Sequence, residues 1–518
     1  MKTLNFIERR KTLLLFITLM IAVYFPLFLQ IDRLPIRVWD ESIMGVNAYR
    51  MLENHNYIVT YFGDNPDMGN TKPPFLIWCI VLCSKIVGFS ELSMRLPSAI
   101  AALALCIYLF FSLRRYTGSN MFGFFVVLVL VTTQGYVTTH ATRTGEYDSM
   151  LTLFSTLFSL HLFLATEAEE ARERSRHLFL FFVFMTLAVL TKGIACMMQA
   201  PALLVYTLAR NKVFTFLKTG AFYAGLAILL VFGLGFYFLR ESQNPGYMHA
   251  VWMNELGGRY AETNEGHTGP FMYYFTAIVF QKYTAYIGFL LMGIGTSLFL
   301  AKKQIKNLVV FCVVTSVFFW LIISSAKTKL PWYDTPIYPY FAIISASFVY
   351  YIYQATKQKL HEKIKQPIVA QLGAWLICLL LFVLPYYNII IEKAYAVKPE
   401  SWEAEFANSC QYFQKAVRHQ VDATGQKFVF DFEGEYAWHR TIVWCYRKQL
   451  QEKKIDAQFL EPAGVAVNDT VMLFEWQTTN VLHQKFDMVY LNHVETGNAD
   501  RWFVKNIKQP VADSTAVN

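Results

Sequence analysis

Long apolar segments are the feature that most constrains what this chain folds into. Up to about residue 390, apolar runs alternate with short polar segments, and many runs reach the roughly 17–25 residues that a helix needs to cross a bilayer. Only 16% of the residues are charged, whereas about 25% is usual for a soluble domain. The sequence therefore predicts an α-helical polytopic membrane protein.

Eleven strong runs are candidate spans, and the chain is expected to have about 11–13 transmembrane helices. They lie at about 12–31, 95–113, 120–139, 148–166, 178–191, 194–210, 219–240, 283–301, 307–325, 336–354 and 368–389. The first run is long and no small-residue cleavage site follows it, so we interpret it as a retained span rather than a signal peptide. A shorter run at 74–90 contains Lys85.

Lysine and arginine clusters at the ends of the runs decide the orientation, because cytoplasmic loops are enriched in these residues. With the N-terminus inside and 74–90 not crossing, the clusters at 114–115, 172–176, 210–218, 302–306 and 357–365 all fall inside. A full crossing by 74–90 would move every one of them outside. We therefore predict that 74–90 is interfacial or re-entrant, and that the C-terminal region lies outside the cytoplasm.

The net charge of +9 does not indicate nucleic-acid binding, because the basic residues lie at the ends of apolar runs rather than on one patch. Six of the eight cysteines lie in apolar runs, where cysteine packs as a small hydrophobic residue. Cys410 and Cys445 lie in the polar C-terminal region. Outside the cytoplasm these two would form a disulfide or remain thiols, and the sequence leaves both alternatives open.

Charged residues near the spans gather at their predicted outer ends rather than at mid-span. A transporter places its polar groups near the midplane, whereas an enzyme acting on a lipid-borne substrate needs them at the level of the head groups. The distribution favours the enzyme. The outer charges are Asp40, Glu41, Lys72, Arg143, Glu146, Asp148, Lys192, Glu255, Arg259, Lys327 and Lys329.

Each of these segments has a structural interpretation beside a functional one. Asp40 and Glu41 suit the first turn of a helix, or a general base with a neighbour that positions a sugar or a cation. Lys72, before Pro73 and Pro74, either reaches for the membrane surface or binds a lipid phosphate.

The later outer segments are equally ambiguous. Asp148 caps a helix or faces an enclosed site, with Arg143 and Glu146 just before it. Glu255 and Arg259 would pair on a helix, but the glycines between them make that helix doubtful, and a loop that brings Arg259 to a phosphate is the alternative. Glu255 with His267 is a weak metal-site candidate. Lys329 and Tyr333 bind a phosphate or anchor the interface.

Together these segments have a recognisable order. Asp40-Glu41 follows the first span, then come K-P-P at 72–74, R-L-P-S-A at 95–99, R-x4-D at 143–148, T-K-G at 191–193 and K-x-K-L-x-x-Y-x-x-P-x-Y-P at 327–339. Over about residues 1–390 the chain resembles the GT-C membrane glycosyltransferases of the protein mannosyltransferase and lipid A aminoarabinose transferase type.

The resemblance implies sugar transfer from a polyprenyl-phosphate donor on the outer face. It implies Asp40 as the base, Asp148 as a second acidic site residue, and donor-phosphate binding by Lys72, Arg259 and Tyr333. Lys329 joins this group, and Glu41, Arg143 and Glu146 are assigned to the sugar or acceptor. The chain departs from the aminoarabinose enzymes at Leu256, where they have His, and at Asn70 and Thr71, which precede the lysine instead of an acid. These departures make the sugar and any divalent metal uncertain, and no cofactor is assigned.

The C-terminal region is expected to form a small extracytoplasmic α/β domain. We predict a transmembrane domain at 1–392 and a soluble domain at 393–518, with strands in KFVFDF, TVMLFEW and DMVYL and a helix in RTIVWCYRKQLQEKK.

The complete hypothesis is an inverting glycosyltransferase of the bacterial inner membrane, with its N-terminus cytoplasmic. It would transfer a hexose or pentose to a lipid, glycan or protein acceptor, with lipid A one candidate. A transporter or flippase of a lipid-linked substrate is the alternative. A third hypothesis is a membrane protein with a purely structural role. It does not explain why charged residues gather at the outer ends of the spans.

Overall fold

The computed structural model describes residues 2–138, 140–261, 266–399, 404–431 and 439–508. Most of this part of the chain is helical, which confirms the predicted class. The chain divides into two compact units. The first contains Met1–Ile31, Arg50–Cys83 and Arg95–Val397, and the second contains Asp32–Tyr49, Ser84–Met94 and Lys398–Asn518.

The helices up to residue 390 are numbered in chain order. They are α1 (Lys2–Phe28), α2 (Asp40–Asn54), α3 (Phe75–Val87), α4 (Glu91–Thr117), α5 (Asn120–Val131), α6 (Asp148–Glu167), α7 (Ala171–Lys192), α8 (Ala200–Ala209), α9 (Val213–Leu217), α10 (Gly220–Ile228), α11 (Gly235–Gln243), α12 (Tyr247–Val251), α13 (Tyr273–Ala277), α14 (Ile287–Phe299), α15 (Lys303–Ser325), α16 (Tyr338–Ile364) and α17 (Pro367–Ile390). A short hairpin, β1 (Tyr61–Phe62) with β2 (Asn65–Pro66), precedes α3.

Among the described residues, 7 helical segments are long and apolar enough to cross a membrane, or up to 8 if one bent pair counts as a single span. They are Arg10–Phe28, Glu91–Thr117, Asp148–Glu167, Ala171–Ala209, Gly220–Gln243, Lys303–Ser325 and Pro367–Tyr395, with Tyr273–Lys282 and Thr284–Phe299 as the bent pair. The protein is thus an integral membrane protein.

This count is lower than the eleven spans expected from the apolar runs, for identifiable reasons. The runs at 178–191 and 194–210 are counted together as Ala171–Ala209, although the chain turns back within this segment: Lys192 pairs with Asp148 at the start of α6, and Arg210 with Glu167 at its end. Helix α5 ends at Val131, before polar residues 132–134, and its 12 residues extend only about 18 Å. Helix α16 is 27 residues long but carries serines and many tyrosines, and it is not among the candidates. Helix α3 has 13 residues, too few to cross alone.

Helix α6 forms the centre of the first unit, because almost every one of its side chains is buried. It packs against α7, and α16 packs against α5, α14 and α17. The α14–α16 approach is close at Gly293, where an added Cβ would lie 2.1 Å from the carbonyl oxygen of Ile344. A larger residue at this position would force the two helices apart.

The second unit contains a five-stranded sheet of order β4-β3-β5-β7-β6. Strands β3 (Lys427–Val429), β4 (Gln458–Leu460) and β5 (Thr470–Leu473) are parallel, whereas β6 (Phe486–Val494) and β7 (Ala499–Ile507) form an antiparallel hairpin. The helices of this region are α18 (Ala404–Val417), α19 (His439–Glu452) and α20 (Trp476–Lys485). The small C-terminal α/β region is therefore confirmed, while β4 and β7 were not predicted.

The two C-terminal cysteines lie on α18 and α19. Cys410 and Cys445 are both buried, and none of the eight cysteines, all within the described ranges, is in a disulfide. Burial raises the pKa of the Cys445 thiol. Of the two alternatives, the structure therefore has Cys410 and Cys445 as thiols and not as a disulfide.

Candidate active site

A cavity of about 310 Å³ in the first unit brings together several of the predicted residues. One part of its wall carries the charged side chains of Lys72, Asp148, Lys192 and Glu255, with Tyr333 beside them. Most of the remaining lining is apolar and includes Leu151, Ile194, Met197, Met198, Phe319, Ile322 and Ile323, and Thr328 adds a hydroxyl. The lining thus combines charged groups with a hydrocarbon-like surface.

The ion pair between Lys192 and Asp148 lies where two neighbouring helices meet. Asp148 is the first residue of α6 and Lys192 the last of α7, so both side chains are held at one end of a packed helix pair. The Lys192 Nζ donates to both carboxylate oxygens, at 2.7 and 2.8 Å, and the two side chains are 8% and 4% exposed. Asp148 therefore positions the Lys192 ammonium. The start of α6 has no side-chain capping hydrogen bond, so the helix-cap interpretation of Asp148 is not the one observed.

Gly193 allows the chain to turn directly after Lys192. Its φ of 56° lies in the left-handed region, and an added Cβ would lie 2.6 Å from the hydroxyl of Tyr237. A residue with a side chain would be strained by its backbone and would also collide with this tyrosine. The glycine of the T-K-G segment thus fixes the path that places the Lys192 ammonium in the cavity.

Lys72 reaches the cavity from the segment before α3. Pro73 and Pro74 separate it from the helix and restrict the backbone there. Its Nζ lies 3.4 Å from Oε1 of Glu255 and 5.7 Å from the ring centre of Tyr147. The same Glu255 oxygen accepts a hydrogen bond of 3.0 Å from the Thr71 hydroxyl.

A polar network holds the segment that carries Lys72. Asp67 Oδ1 accepts the backbone N–H groups of Gly69 and Asn70, which forms a tight turn. The Asn70 amide is hydrogen-bonded to the Tyr147 hydroxyl at 3.1 Å, and the Tyr247 hydroxyl donates to the carbonyl of Thr71 at 2.7 Å. Hydrogen bonds therefore hold the backbone of the three residues directly before Lys72.

Arg240 supports this network from α11. It is fully buried, and its Nη2 donates to the Thr60 hydroxyl and to the carbonyl of Asp67, at 2.7 and 3.0 Å. Its guanidinium lies 4.2 Å from the ring centre of Tyr247, a cation–π distance. Burial raises the pKa of Tyr247, so its hydroxyl remains protonated and able to donate.

The formal charges of the cavity balance, since two lysines face two carboxylates. Lys192 also lies 5.4 Å from the ring centre of Tyr333, whose face favours a cation. A phosphate that enters would share the ammonium groups with Asp148 and Glu255. Two preorganised cations beside an apolar wall provide what a lipid phosphate requires.

Lys329 is not among the residues that line this cavity. Its ammonium donates to the backbone carbonyls of Ile323, Ser324 and Ala326, which accounts for all three of its N–H groups at the C-terminal end of α15. A cation there offsets the helix dipole. Burial lowers the pKa of Lys329. Its phosphate-binding role stays a prediction that these contacts do not support.

Arg143 and Glu146 also make contacts within the scaffold. The Arg143 guanidinium donates to the carbonyls of Pro26 and Leu29 at 2.7 Å, and burial together with Arg95 lowers its pKa to about 10. Glu146 lies 2.6 Å from Nδ1 of His140. Their assignment to the sugar or acceptor remains a prediction.

Asp40 and Glu41 belong to the second unit, where they form the first turn of α2 as the helix interpretation expected. Glu41 is fully buried, and its Oε2 accepts the backbone N–H of Arg37 at 2.9 Å. Asp40 is exposed within its unit. The two neighbouring acids therefore differ: Glu41 is buried and hydrogen-bonded to the backbone, whereas Asp40 is exposed. Their roles as sugar or acceptor ligand and as base remain predictions.

The segment around Glu255 differs from the sequence-based expectation. Trp252–Ala261 forms a helix with a π-type hydrogen-bond pattern. The expectation that the two glycines would prevent a helix here was therefore wrong. The side chain of Arg259 lies outside the described residues. His267 is exposed, and among the described residues it forms no three-ligand metal cluster with Glu255.

Two supporting residues escaped the sequence-based assignment. Lys192 was noted in T-K-G and among the outer charges but received no role, although a lysine at the end of a span is a usable signal. Arg240 is the last residue of the apolar run at 219–240, and only the tertiary structure shows that it holds the Lys72 segment.

Comparisons with known proteins agree with this geometry. Residues 71–236 match the family model described as dolichyl-phosphate-mannose-protein mannosyltransferase. An uncharacterized protein of Aquifex aeolicus is 26% identical over 66% of this chain, and the undecaprenyl phosphate-alpha-4-amino-4-deoxy-L-arabinose arabinosyl transferase of Shewanella sediminis is 25% identical over 63%. The chain spans 64% and 59% of the lengths of these two relatives.

A solved structure extends the likeness across the whole fold. ArnT from Cupriavidus metallidurans, bound to undecaprenyl phosphate, aligns with 95% of this chain and 97% of its own, with a TM-score of 0.67 and 13% sequence identity. The chain has the fold of the GT-C membrane glycosyltransferases, and its resemblance to the protein mannosyltransferase and aminoarabinose transferase type is confirmed.

Proposed function

We propose that the protein is an inverting glycosyltransferase that moves a sugar from a polyprenyl-phosphate donor to an acceptor on the outer face of the bacterial inner membrane. The observation that carries this proposal is the cavity in which Lys72 and Lys192 adjoin an apolar wall. A polyprenyl-phosphate donor has the same division, with an anionic head and a hydrocarbon tail. The named relatives and the family match support the same class.

The depth of the charged groups also favours transfer over transport. Asp148 begins α6, Lys192 ends α7, and Lys72 precedes α3, so each lies at a helix end. A flippase would need polar groups along a path through the midplane. Charged groups collected at one end of the helices suit a reaction on a head group held there.

The proposed chemistry uses the phosphate as the leaving group. As the bond between the sugar carbon and the phosphate oxygen breaks, negative charge accumulates on the phosphate, and Lys72 and Lys192 stabilise it. The acceptor hydroxyl attacks the sugar carbon from the opposite side and loses its proton to a carboxylate base. One displacement of this kind inverts the configuration at that carbon.

For the base we propose Asp40. Both oxygens of Asp148 accept hydrogen bonds from Lys192, so an acceptor hydroxyl would compete with an ammonium there. Asp40 has an exposed carboxylate at the start of α2. Lys72, Lys192 and Tyr333 would hold the donor, with Arg259 a further phosphate ligand implied by the resemblance.

The test uses purified protein in lipid, undecaprenyl-phosphate hexose or pentose donors, and an envelope extract as acceptor. The readout is acceptor-dependent release of free undecaprenyl phosphate. Lys72→Met should lower the rate about a hundredfold, the usual effect of removing one charge stabiliser, and Asp40→Asn should abolish release. Release that survives Asp40→Asn but not Asp148→Asn would move the base to Asp148. Lipid movement between leaflets without release would favour the transporter.

A further inference from the structure

A second large cavity in the first unit lies between the ends of four helices. Its volume is about 750 Å³, and it is bordered by the C-terminal ends of α14 and α16 and the N-terminal ends of α15 and α17. Nothing in the proposed reaction uses it.

This cavity and the candidate active site lie at opposite ends of α15. Ile305 lines the former and Ile323 the latter. Eighteen residues of α-helix separate them, which corresponds to about 27 Å, close to the thickness of the hydrocarbon core. The second cavity therefore opens at the membrane surface opposite the candidate active site.

The lining has the chemistry of a lipid head-group site. Lys302, Lys357 and His361 supply cationic or hydrogen-bonding nitrogen atoms, and Gln354 and Gln358 add amides. Of these, the Gln354 amide donates to the Tyr350 hydroxyl at 2.6 Å, and the Gln358 amide to Glu362 at 3.1 Å. Through the bond with Gln358, the Glu362 carboxylate lies next to the cavity lining.

The surroundings of the cavity strengthen its positive charge. Lys303 and Lys306 follow on α15, and Lys359, Lys363 and Lys365 follow on α16 and its final turn. Apolar side chains, including Leu300 and Ile305, also contribute to the lining. Tyr350 and Tyr351 also line the cavity, and tyrosine is enriched at membrane interfaces.

We propose that this cavity binds an anionic phospholipid of the leaflet opposite the active site, with its phosphate between Lys302 and Lys357 and an acyl chain along the apolar wall. Basic pockets between transmembrane helices are suited to anionic head groups. The bound lipid would join α15 to α16. Since α15 also lines the active-site cavity and α16 follows Tyr333, the lipid would stabilise the helices that frame the active site.

The experiment compares the purified full-length protein in nanodiscs of phosphatidylcholine alone and of phosphatidylcholine mixed with phosphatidylglycerol. Lipids retained after transfer to detergent are counted by native mass spectrometry, and the Tm is measured in both nanodiscs. The test variant is Lys302→Gln/Lys357→Gln. The matched control is Lys306→Gln/Lys363→Gln, which removes the same charge from the same two helices outside the cavity lining.

We expect the wild type and the control to retain phosphatidylglycerol in preference to phosphatidylcholine and to have a higher Tm in its presence. The test variant should bind phosphatidylglycerol about thirtyfold more weakly, from about 1 kcal/mol for each lysine near a membrane surface. Its Tm in phosphatidylcholine alone should equal that of the control.

Three results would overturn the proposal. The wild type would show no preference for phosphatidylglycerol, a result that needs no variant. Alternatively, both double variants would lose the lipid equally, which would indicate diffuse surface charge. Finally, inorganic phosphate added in detergent would raise the Tm as much as phosphatidylglycerol, which would indicate a site for free phosphate.

Discussion

The pair formed by Asp148 and Lys192 provides the sharpest quantitative prediction. At an effective dielectric constant of about 20, charges 2.7 Å apart attract by roughly 6 kcal/mol. Desolvation of both groups offsets most of this attraction, so the intact pair adds little net stability. Removing one partner leaves the other charge buried, which typically costs about 3–5 kcal/mol.

We therefore expect Lys192→Met and Asp148→Asn each to lower the free energy of unfolding by about 3–5 kcal/mol. The double variant should recover at least about 2 kcal/mol of the summed loss, because neither charge is then left unpaired. Activity should not recover, since the cation that faces the phosphate is absent. Lys218→Met, at an exposed lysine outside the cavity, is the control and should change stability by no more than about 0.5 kcal/mol.

The assay is equilibrium unfolding in mixed micelles of increasing SDS content, with sugar-transfer activity measured on the same samples. If the double variant is as unstable as the two single losses combined, the two residues are not coupled and the reasoning is wrong. Full activity in the double variant would show that Lys192 does not act on the phosphate.

Four further outcomes follow from the geometry. Gly193→Ala should destabilise the protein by about 1–3 kcal/mol, measured by thermal unfolding, and adding Tyr237→Phe should restore part of the loss by removing the hydroxyl 2.6 Å from the new Cβ. Glu255→Gln should tighten binding of undecaprenyl phosphate about threefold to tenfold, measured by a binding titration, because Lys72 loses a competing carboxylate; weaker binding would contradict this. Lys329→Met should lower the Tm while leaving the affinity for undecaprenyl phosphate unchanged, whereas an unchanged Tm with weaker binding would restore its predicted phosphate role. Thiol labelling of the unreduced, unfolded protein should modify all eight cysteines, and a deficit of two would indicate a disulfide.

The sequence contained enough information for the fold class and for much of the cavity. Runs of apolar residues are a direct consequence of burying backbone in lipid, and therefore they predict helices well. Lys72, Asp148 and Tyr333 were identified because charged and aromatic groups at helix ends are conspicuous against such runs. The structure brings these three to one cavity, as the resemblance implied.

The remaining features depend on tertiary contacts that local pattern does not encode. The bounds of individual helices were the least predictable feature, because an apolar run does not reveal where a helix ends, as at Val131, or where it is interrupted by a 3₁₀ segment, as at 193–199. Lys329 is predicted as a site cation, but the sequence does not reveal that its three donors bind backbone carbonyls at the C-terminal end of α15. Arg240 shows the reverse case: at the end of an apolar run it looks like an ordinary terminal charge, but its hydrogen bonds to Thr60 and Asp67 hold the segment that leads to Lys72.

The most direct test of the proposed function is a single-turnover measurement with undecaprenyl-phosphate sugar donors of known anomeric configuration. Purified wild type and Lys72→Met are compared for release of undecaprenyl phosphate, and the configuration of the sugar in the product is determined by NMR. The proposal predicts acceptor-dependent release, a rate about a hundredfold lower in the variant, and an inverted anomeric carbon. Release at the same rate in both proteins, or retention of configuration, would contradict it.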